Sequence, residues 1–397
     1  MKGACLRYGK RRLWRRFRLS LDIMSRTQHS QGSSDFSVRV ELGPRSYAIH
    51  VGRDLLRRAG ELISSTLVPR DLFLITHPVV DRLHGEALRQ GLAGRSVSVL
   101  PVPAGERQKT LRRAALLYDQ LLALGADRSS AIIAFGGGVI GDLAGFVAAT
   151  YMRGIAYVQV PTTLLAQVDA SVGGKVAVDH PQAKNLIGAF YHPRLVIADS
   201  NTMRTLSPRD YRAGVAEVVK HGVITDAHLF DWLEGNRKAV LGREPEAVAH
   251  MVRRSCEIKA TVVARDERES GLRATLNFGH TIGHALESLT SYRVLRHGEA
   301  VAIGMVAAAR LAYALGLFSA SQAERVERLL SSLRLPTRIP RLAVDTVLSA
   351  IRLDKKAVGG VPRFVLPVAI GRVDLVSEVS PTTLRETLLA LGATAEL

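Results

Sequence analysis

Residues 131–150 read AIIAFGGGVIGDLAGFVAAT and combine an apolar run, a glycine cluster and a second apolar stretch. The run at 131–135 predicts a strand, and GGGVIGD at 136–142 fits G-x-G-x-x-G between a strand and a helix. Such glycines let a phosphate approach the backbone, and the helix N-terminus favours its charge. The pattern predicts a dinucleotide site, although a tight turn without a ligand looks the same. Asp142 follows at once instead of about 20 residues later, which indicates a distinct nucleotide-binding fold.

Strands and helices alternate on both sides of this stretch. Two strands joined by a Gly-Pro turn are predicted within residues 36–52, and further strands at 72–76, 96–102, 157–160 and 195–198. Helical patterns lie between them, ending near residues 92 and 124. Alternation of this kind predicts a mostly parallel α/β sheet.

The pattern changes after residue 207. Ser207-Pro208 is typical of a helix start, and helices are predicted at 208–224, 227–235, 245–266, 277–289, 298–316, 320–333, 342–352 and 381–392. One hairpin is predicted at 363–376. We therefore expect a basic, disordered extension (1–35), an α/β domain (36–206) and a helical domain (207–397), with the ligand site in the cleft between the two domains.

Composition excludes several classes of protein. The chain has 397 residues, with 47% hydrophobic and 23% charged residues, as in ordinary globular proteins. Its two cysteines, Cys5 and Cys256, rule out a disulfide framework and fit the cytoplasm. No apolar run has the length of a membrane span, and residues 300–318, which include Arg310, predict a buried helix. Neither a membrane nor a nucleic acid is expected as a partner.

The net charge of +18 is concentrated at the start of the chain. Residues 1–34 hold nine basic residues and one acidic residue, Asp22. This segment fits an Arg-rich transit peptide, a basic tail, or a start upstream of a true first residue at Met24, and the last is favoured. The rest of the chain has no dense basic block, so its charge fits a protein that handles an acidic small molecule.

Residues 276–300, LNFGHTIGHALESLTSYRVLRHGEA, predict a metal site. His280 and His284 are four residues apart, so a helix places both imidazoles on one face, where they either bind a metal or are satisfied within the core. His297 favours the metal. Glu217 lies on an apolar helical stretch with Lys220 on the same side, where an inward-facing carboxylate needs a partner or a metal. Glu217, His280 and His297 would make a Glu-His-His set with open positions, as in catalytic zinc sites. His221 and His228 are expected at the surface.

Residues 167–175, QVDASVGGK, form a second polar group, followed by Lys184 and Asn185. Lysine, Asn and Asp side chains among small residues suit a phosphorylated or carboxylated ligand, although lysines in loops are more often only solvated.

Several long motifs resemble the 3-dehydroquinate synthase family. They are GGGVIGDLAGFVAATYMRG, VQVPTTLLAQVDASVGGKVAV, KNLIGAFYHP, GVAEVVKHGVI, GLRATLNFGHTIGHALE, RHGEAVAIGM and the DKK that ends at Lys356. The resemblance runs from about residue 36 to the C-terminus and leaves only the basic segment outside.

The resemblance implies the fold shared with glycerol dehydrogenase, an NAD-binding α/β domain followed by a helical metal-binding domain. It implies that Glu217, His280 and His297 hold zinc or cobalt. It implies that NAD is lined by Ala104, Gly105, Glu106, Arg107, Gln108, Lys109, Gly138, Val139, Ile140, Gly141, Asp142, Thr162, Thr163, Lys175, Lys184, Thr202, Met203, Arg204 and Thr205. It implies substrate contacts from Asp169, Lys175, Asn185, Lys220, Lys259, Arg273, Asn277, His284 and one of Lys355 or Lys356, with Arg153 reaching the phosphate from the neighbouring subunit of a homodimer.

The implied reaction converts 3-deoxy-D-arabino-heptulosonate 7-phosphate to 3-dehydroquinate and phosphate, the second step of the shikimate route to aromatic amino acids. It oxidises a ring hydroxyl with NAD, eliminates phosphate, returns the hydride, opens the ring and closes a carbocycle by an aldol step. NAD is regenerated and acts as a catalyst. Basic groups are expected at both ends of the substrate: Arg273 and Lys259 at a carboxylate, and Asn277, His284 and a lysine at phosphate.

One position departs from the expected pattern. Thr76-His77 stands where an Asp or Asn near the NAD ribose is expected, with Asp81 further on.

Three alternative functions stay open. Another sugar-phosphate cyclase, such as an aminodehydroquinate synthase, would share the metal and NAD sites, but Arg273 and Lys259 favour a carboxylate. A metal-dependent alcohol dehydrogenase would need no phosphate site and would release NADH. A basic nucleic-acid-binding protein is disfavoured by the position of the charge.

Overall fold

The computed structural model describes residues 28–29, 35–352, 363–377 and 379–396. The strands are β1 (Gln28–His29), β2 (Phe36–Val40), β3 (Tyr47–Gly52), β4 (Leu72–Thr76), β5 (Val97–Pro101), β6 (Ala131–Gly136), β7 (Ala156–Pro161), β8 (Lys175–His180), β9 (Ala183–Phe190), β10 (Leu195–Asp199), β11 (Phe364–Ala369) and β12 (Arg372–Val376). The helices are α1 (Ala59–Ser64), α2 (Pro78–Val80), α3 (Glu86–Gly91), α4 (Leu111–Ala123), α5 (Gly138–Thr150), α6 (Pro208–Thr225), α7 (Ala227–Gly235), α8 (Arg237–Gly242), α9 (Pro245–Arg265), α10 (His280–Leu289), α11 (His297–Ala314), α12 (Ala320–Ser332), α13 (Val344–Arg352) and α14 (Pro381–Ala390).

Eight strands form one sheet in the order β1-β2-β3-β10-β7-β6-β4-β5. From β3 to β5 the neighbouring strands are parallel, whereas β2 is antiparallel to β1 and β3. The mostly parallel sheet is therefore confirmed. The inner strands β4, β6, β7 and β10 are almost entirely buried apolar runs because helices cover both faces of the sheet.

Alternate residues of the sheet supply separate cores. On one face Phe73, Ile75 and Tyr157 pack with α4 and α5, and on the other Leu72 and Leu74 pack with α1 and α3. At the β2-β3-β10 end, the first of these faces is covered by α9, and strand residues there share a core with the C-terminal helices. The helical region therefore packs directly on the sheet that carries the glycine-rich turn.

The strand order reverses between β4 and β6. The chain passes from β4 to β5 at the edge of the sheet and returns to β6 on the other side of β4. Thr76 and Phe135, near the carboxyl ends of these two strands, are register partners. Open parallel sheets bind ligands outside the strand ends at such a reversal, so the loops after β4 and β6 define the ligand crevice.

The predicted helices from residue 208 onward are observed within a few residues, as is the predicted hairpin, which is β11 and β12. The C-terminal region is thus not purely helical. The prediction did not include α1, α8, the short strand β1, or the hairpin of β8 and β9, which carries Lys175, Lys184 and Asn185. No helix in the described ranges has the length and apolar character that crossing a membrane requires.

Candidate functional site

Three helices bring Glu217, His280 and His297 together. Glu217 lies within α6, and the two histidines are the first residues of α10 and α11. Glu217 Oε1 is 3.4 Å from His297 Nε2 and 3.8 Å from His280 Nε2. One ligand atom from each residue lies within 4.8 Å of the others. These distances suit three ligands around one small cation better than direct hydrogen bonds.

Glycines allow the three helices to approach this closely. A Cβ on Gly298 would lie 1.9 Å from the carbonyl oxygen of Ala213, which joins α11 to α6. A Cβ on Gly304 would lie 1.9 Å from the carbonyl oxygen of Gly279, just before α10. Backbone meets backbone at both crossings, so a larger residue would separate the helices that carry the ligands.

Hydrogen bonds orient both imidazoles for metal binding. His280 Nδ1 is 3.1 Å from the carbonyl oxygen of Phe278, and His297 Nδ1 is 3.1 Å from Glu287 Oε2. Each ring therefore directs Nε2 at Glu217, the arrangement that outer carboxylates and carbonyls impose on metal-binding histidines. Glu217 Oε1 is buried without a hydrogen-bond partner, whereas Oε2 contacts Lys220. The donor set and the unsatisfied Oε1 fit a divalent metal, and Glu287, which the sequence analysis missed, supports one of the imidazoles.

His284 lies beside this set. Its ring centroid is 5.2 Å from that of His280 and 6.1 Å from that of His297. With Glu287 and His297 it forms a second group of nitrogen and oxygen atoms within 4.8 Å. Helical spacing correctly placed His280 and His284 side by side, but His284 is not one of the three residues of the Glu217 set.

A chain of charges leads from Glu217 into the cleft. Lys220 contacts Glu217 and lies 3.8 Å from Asp169, and Lys259 Nζ donates to Asp169 Oδ1 at 2.7 Å. Burial disfavours the Lys220 charge, but Glu217 and Asp169 outweigh burial and raise the pKa of Lys220. Burial dominates at Lys259 and lowers its pKa to about 8. Despite burial, Lys259 and Lys220 hold the pKa of Asp169 well below its usual value.

Arg273, Lys175 and Asn277 border the same cleft. Glu269 contacts Lys175 and accepts a hydrogen bond of 2.7 Å from Asn277 Nδ2, so one carboxylate connects two predicted substrate contacts. The Arg273 guanidinium donates to the carbonyls of Glu267 and Gly173. Glu269 was not predicted, although it belongs to the acid-rich run 266–269 that precedes Arg273.

A second cluster surrounds buried Lys109 near the glycine-rich turn. Lys109 Nζ is 3.0 Å from Asp142, 3.2 Å from Glu106 and 3.8 Å from Asp179, and it contacts Asn185. Lys184 is 3.5 Å from Glu106. Burial raises the pKa of Asp142 to about 6 in spite of Lys109. Asn185, predicted at the substrate, is therefore bonded within this cluster, and Asp179 is a member that the sequence did not indicate.

The glycine-rich turn has room for a phosphate. It leads from β6 into α5, as predicted, and Gly137 at the helix start brings no side chain to bond the first amides. A Cβ on Gly138 would be 3.6 Å from its nearest neighbour, Ala170. Open space at the N-terminus of a helix suits an anion. The residue types and position fit NAD.

The remaining predicted NAD contacts lie around this crevice. Thr162 donates its amide hydrogen to Gly136 at 2.9 Å, and Thr163 follows β7. Ala104 to Gln108 form the exposed turn after β5, and Thr202 to Thr205 lie in and just after a 3₁₀ turn that follows β10. Val139, Ile140 and Gly141 lie in the first turn of α5, with Ile140 buried.

The sequence also singled out Arg153, Lys355, Lys356, Thr76, His221 and His228. Arg153 is exposed after α5, and Lys356, like Lys355, lies outside the described residues. Thr76 donates to the carbonyl of Phe135 at 2.8 Å and is buried, so its hydroxyl is used inside the sheet. His228 is exposed as expected, but the surface prediction for His221 is wrong, because α6 is enclosed on all sides and His221 is fully buried.

Sequence models of one family match most of the chain. The 3-dehydroquinate synthase N-terminal model matches residues 99–213 and the C-terminal model residues 214–357. The 3-dehydroquinate synthase of Pelotomaculum thermopropionicum is 52% identical over 89% of this chain and 96% of its own length. That of Desulforamulus reducens is 48% identical over 86% of this chain and 96% of its own.

Solved structures show the same architecture. The chain resembles 2-epi-5-epi-valiolone synthase from Streptomyces hygroscopicus, solved with NAD⁺ and Zn²⁺, with a TM-score of 0.81 and 31% identity over 88% of this chain and 97% of that one. A 2-deoxy-scyllo-inosose synthase, solved with NAD⁺ and Co²⁺, has a TM-score of 0.81 and 27% sequence identity, over 89% of this chain and 99% of that one. The family uses NAD and a divalent metal. The chain therefore belongs to the 3-dehydroquinate synthase family, the lyases that form 3-dehydroquinate and release phosphate.

Proposed function

We propose that the clusters described above divide the work of the 3-dehydroquinate synthase reaction on 3-deoxy-D-arabino-heptulosonate 7-phosphate. The observation that carries the assignment is the unbroken series of contacts from Glu217 through Lys220 and Asp169 to Lys259. These contacts make the Glu217 set and the cations Lys220 and Lys259 parts of one site, as expected when one small anionic substrate touches both.

Glu217, His280 and His297 would hold a divalent zinc or cobalt ion. When bound, the cation supplies Lewis-acid stabilisation of negative charge that develops on the substrate. Glu287 and the carbonyl of Phe278 keep the two imidazoles in the orientation that a ligand needs. Because the pKa of Lys220 is raised, its ammonium stays charged beside Glu217 and acts as a hydrogen-bond donor and not as a base.

Lys259 and Arg273 would bind the carboxylate of the substrate, and Asn277, His284 and a lysine its phosphate. Lys259 and Arg273 are both buried, and a buried cation gains most from an anionic ligand. Asp169 would hold Lys259 and Lys220 in place and accept a hydrogen bond from a substrate hydroxyl. Lys175 and Asn277, both bonded to Glu269, would exchange that carboxylate for the ligand.

The dinucleotide would lie across the carboxyl ends of β4 and β6. Its phosphates would meet Gly138 and the first amides of α5, and Lys184 and the Lys109 cluster would border the nicotinamide half. When bound, NAD supplies reversible hydride transfer to and from the substrate. The Thr76 hydroxyl donates to the Phe135 carbonyl inside the sheet. His77, the next residue, would therefore be the side chain that lies near the adenosine at the end of β4.

A homodimer is proposed, with Arg153 of one subunit at the phosphate of the other. Support comes from the backbone at this corner: Met152 and Arg153 have φ of 50° and 65°, and both side chains are exposed. Residues with such φ values are uncommon outside glycine, and strain of this kind often marks functional positions. Sedimentation of the wild type and of Arg153→Ala, with activity measured alongside, tests both parts of the proposal.

The decisive experiment supplies the heptulosonate phosphate with a divalent metal and NAD⁺ far below the substrate concentration. Phosphate is released in many turnovers per NAD⁺ with no net NADH. NADH formed in proportion to product would point instead to an alcohol dehydrogenase. Absence of turnover would point to another sugar-phosphate cyclase, an interpretation that the two solved cyclases keep open but that Arg273 and Lys259 disfavour.

A further inference from the structure

Glu267 connects the two domains at the edge of the cleft. It lies in the loop between α9 and α10, and its carboxylate contacts both terminal nitrogens of Arg45, the second at 2.7 Å. Its Oε1 also lies 3.0 Å from His192 Nε2. Arg45 precedes β3 and His192 precedes β10, so both partners belong to the α/β domain. An Arg that pairs with both carboxylate oxygens fixes orientation as well as distance.

The backbone of the same residue holds Arg273. One Arg273 nitrogen donates to the carbonyl of Glu267, and the other donates to the carbonyl of Gly173 at 3.0 Å. The two carbonyls come from the two domains. Because a carbonyl is neutral, these bonds set the direction of the guanidinium without cancelling its charge, which stays available for an anion.

His192 and Tyr47 hold the turn that carries the Gly173 carbonyl. Gly173 donates its amide hydrogen to Tyr47 Oη at 3.1 Å, and the Tyr47 and His192 rings lie 5.8 Å apart. A Cβ on Gly174 would be 2.6 Å from His192 Nδ1, so the imidazole packs directly on the turn. Burial lowers the pKa of His192, which makes the neutral ring, with Nε2–H donating to Glu267, the form near neutral pH.

We infer that Arg45, His192 and Glu267 form a latch between the domains that positions Arg273 for the carboxylate of the substrate. The inference rests on the proposed function, which assigns the carboxylate to Arg273. The three latch residues are positioning residues that act only through the two carbonyls. The alternative is an ion pair that has no effect on substrate affinity and, like most exposed pairs, contributes at most about 1 kcal/mol to stability.

The test uses the full-length enzyme saturated with NAD⁺ and a divalent metal, with 3-deoxy-D-arabino-heptulosonate 7-phosphate as substrate. Glu267→Gln and Arg45→Ala each raise KM about tenfold, the size expected for weakening one charge-assisted bond, with a smaller change in kcat. The NAD⁺ dissociation constant, measured by equilibrium dialysis, is unchanged. Arg45→Ala leaves the Glu267 loop unchanged, so it tests the same ion pair if Glu267→Gln does not fold. Asp345→Asn, which weakens a similar two-contact pair with Arg385 between α13 and α14, is the matched control and leaves KM unchanged.

A double-mutant cycle separates positioning from stability. In an Arg273→Gln background, Glu267→Gln has no further effect on KM, because the group that it positions is gone. The latch would be overturned, while the proposed function stands, if Glu267→Gln raised KM by the same factor in the wild-type and Arg273→Gln backgrounds. It would also be overturned if Glu267→Gln lowered the melting temperature without changing KM. If Arg273→Gln itself leaves KM unchanged, the carboxylate assignment and the latch both fail.

Discussion

Glu287 Oε2 lies 3.1 Å from His297 Nδ1, on the opposite side of the imidazole from Glu217. The carboxylate is nearly buried, so the bond is protected from water. A carboxylate in this position fixes the imidazole tautomer and strengthens its remaining nitrogen as a ligand. Glu287 therefore supports the proposed metal site from the side of His297 that faces away from Glu217.

We predict that Glu287→Gln weakens binding of zinc or cobalt about tenfold and Glu287→Ala up to about 100-fold, because outer carboxylates contribute in this range. Chelator competition measures the affinity directly and does not depend on turnover. Glu327→Gln, which breaks an ion pair with Arg310 away from the site, is the control and leaves metal affinity unchanged. Wild-type affinity in both Glu287 variants would contradict this role.

The two histidines of α10 are predicted to differ. His280→Ala removes a ligand of the Glu217 set and abolishes metal binding, a loss larger than the roughly 100-fold effect of an outer residue. His284→Ala keeps the metal and loses turnover, because His284 lies beside the set and is assigned to the substrate. Metal content after dialysis and activity are measured on both variants. Full metal occupancy in His280→Ala would refute the ligand assignment.

Helix packing around Gly304 yields a prediction about stability. A Cβ at Gly304 would lie 1.9 Å from the Gly279 carbonyl oxygen, and a backbone atom cannot move aside as a side chain can. Gly304→Ala is expected to lower the free energy of unfolding by about 1–3 kcal/mol or more, the usual cost of overpacking. It should also weaken metal binding, since α10 and α11 carry His280 and His297.

The control is Gly235→Ala. Gly235 ends α7, and a Cβ added there would meet nothing within 4 Å, so alanine causes no clash and should stabilise the helix by about 0.5 kcal/mol. Denaturant unfolding compares the two variants. A Gly304→Ala protein as stable as Gly235→Ala would show that the two helices can separate without cost.

Local patterns predicted the parts of the fold and site that depend on local chemistry. The apolar run and glycines at 131–142 correctly gave the strand, turn and helix. Helical spacing put Glu217 beside Lys220 and His280 beside His284. The hairpin of β8 and β9 was not predicted because β9 is mostly exposed and lacks an alternating apolar pattern, and its Asn185 has a φ of 53°.

Contacts between distant residues could not be predicted in this way. Glu267 meets Arg45 across 222 positions, and Lys175 meets Glu269 across 94. Nothing in the local sequence distinguishes these acids from solvated ones. His221 shows the reverse error: it was expected at the surface, whereas α6 is surrounded by other elements and buries it.

Lys259 gives the site a predicted pH dependence. Burial lowers the pKa of its ammonium from 10.5 to about 8, although Asp169 opposes the shift. Above about pH 8 the side chain loses the charge that would bind the substrate carboxylate, so KM should rise as pH increases through this value. The wild-type KM, measured from about pH 6.5 to about pH 9.5 with NAD⁺ and metal saturating, should show this rise, and Lys259→Met should have a high KM that lacks it.

The same shift has the opposite effect on stability. Between about pH 8 and the ordinary pKa of 10.5, the unfolded chain binds this proton and the folded chain does not, so the contribution of Lys259 to stability rises with pH. Below pH 8 both states are protonated and the folded state bears the full cost of a buried ammonium. The difference in unfolding free energy between wild type and Lys259→Met, followed across this range, isolates the contribution. A wild-type protein whose advantage over Lys259→Met stays constant from about pH 7.5 to about pH 10 would show that Lys259 titrates normally, and the rise in KM would then need another cause.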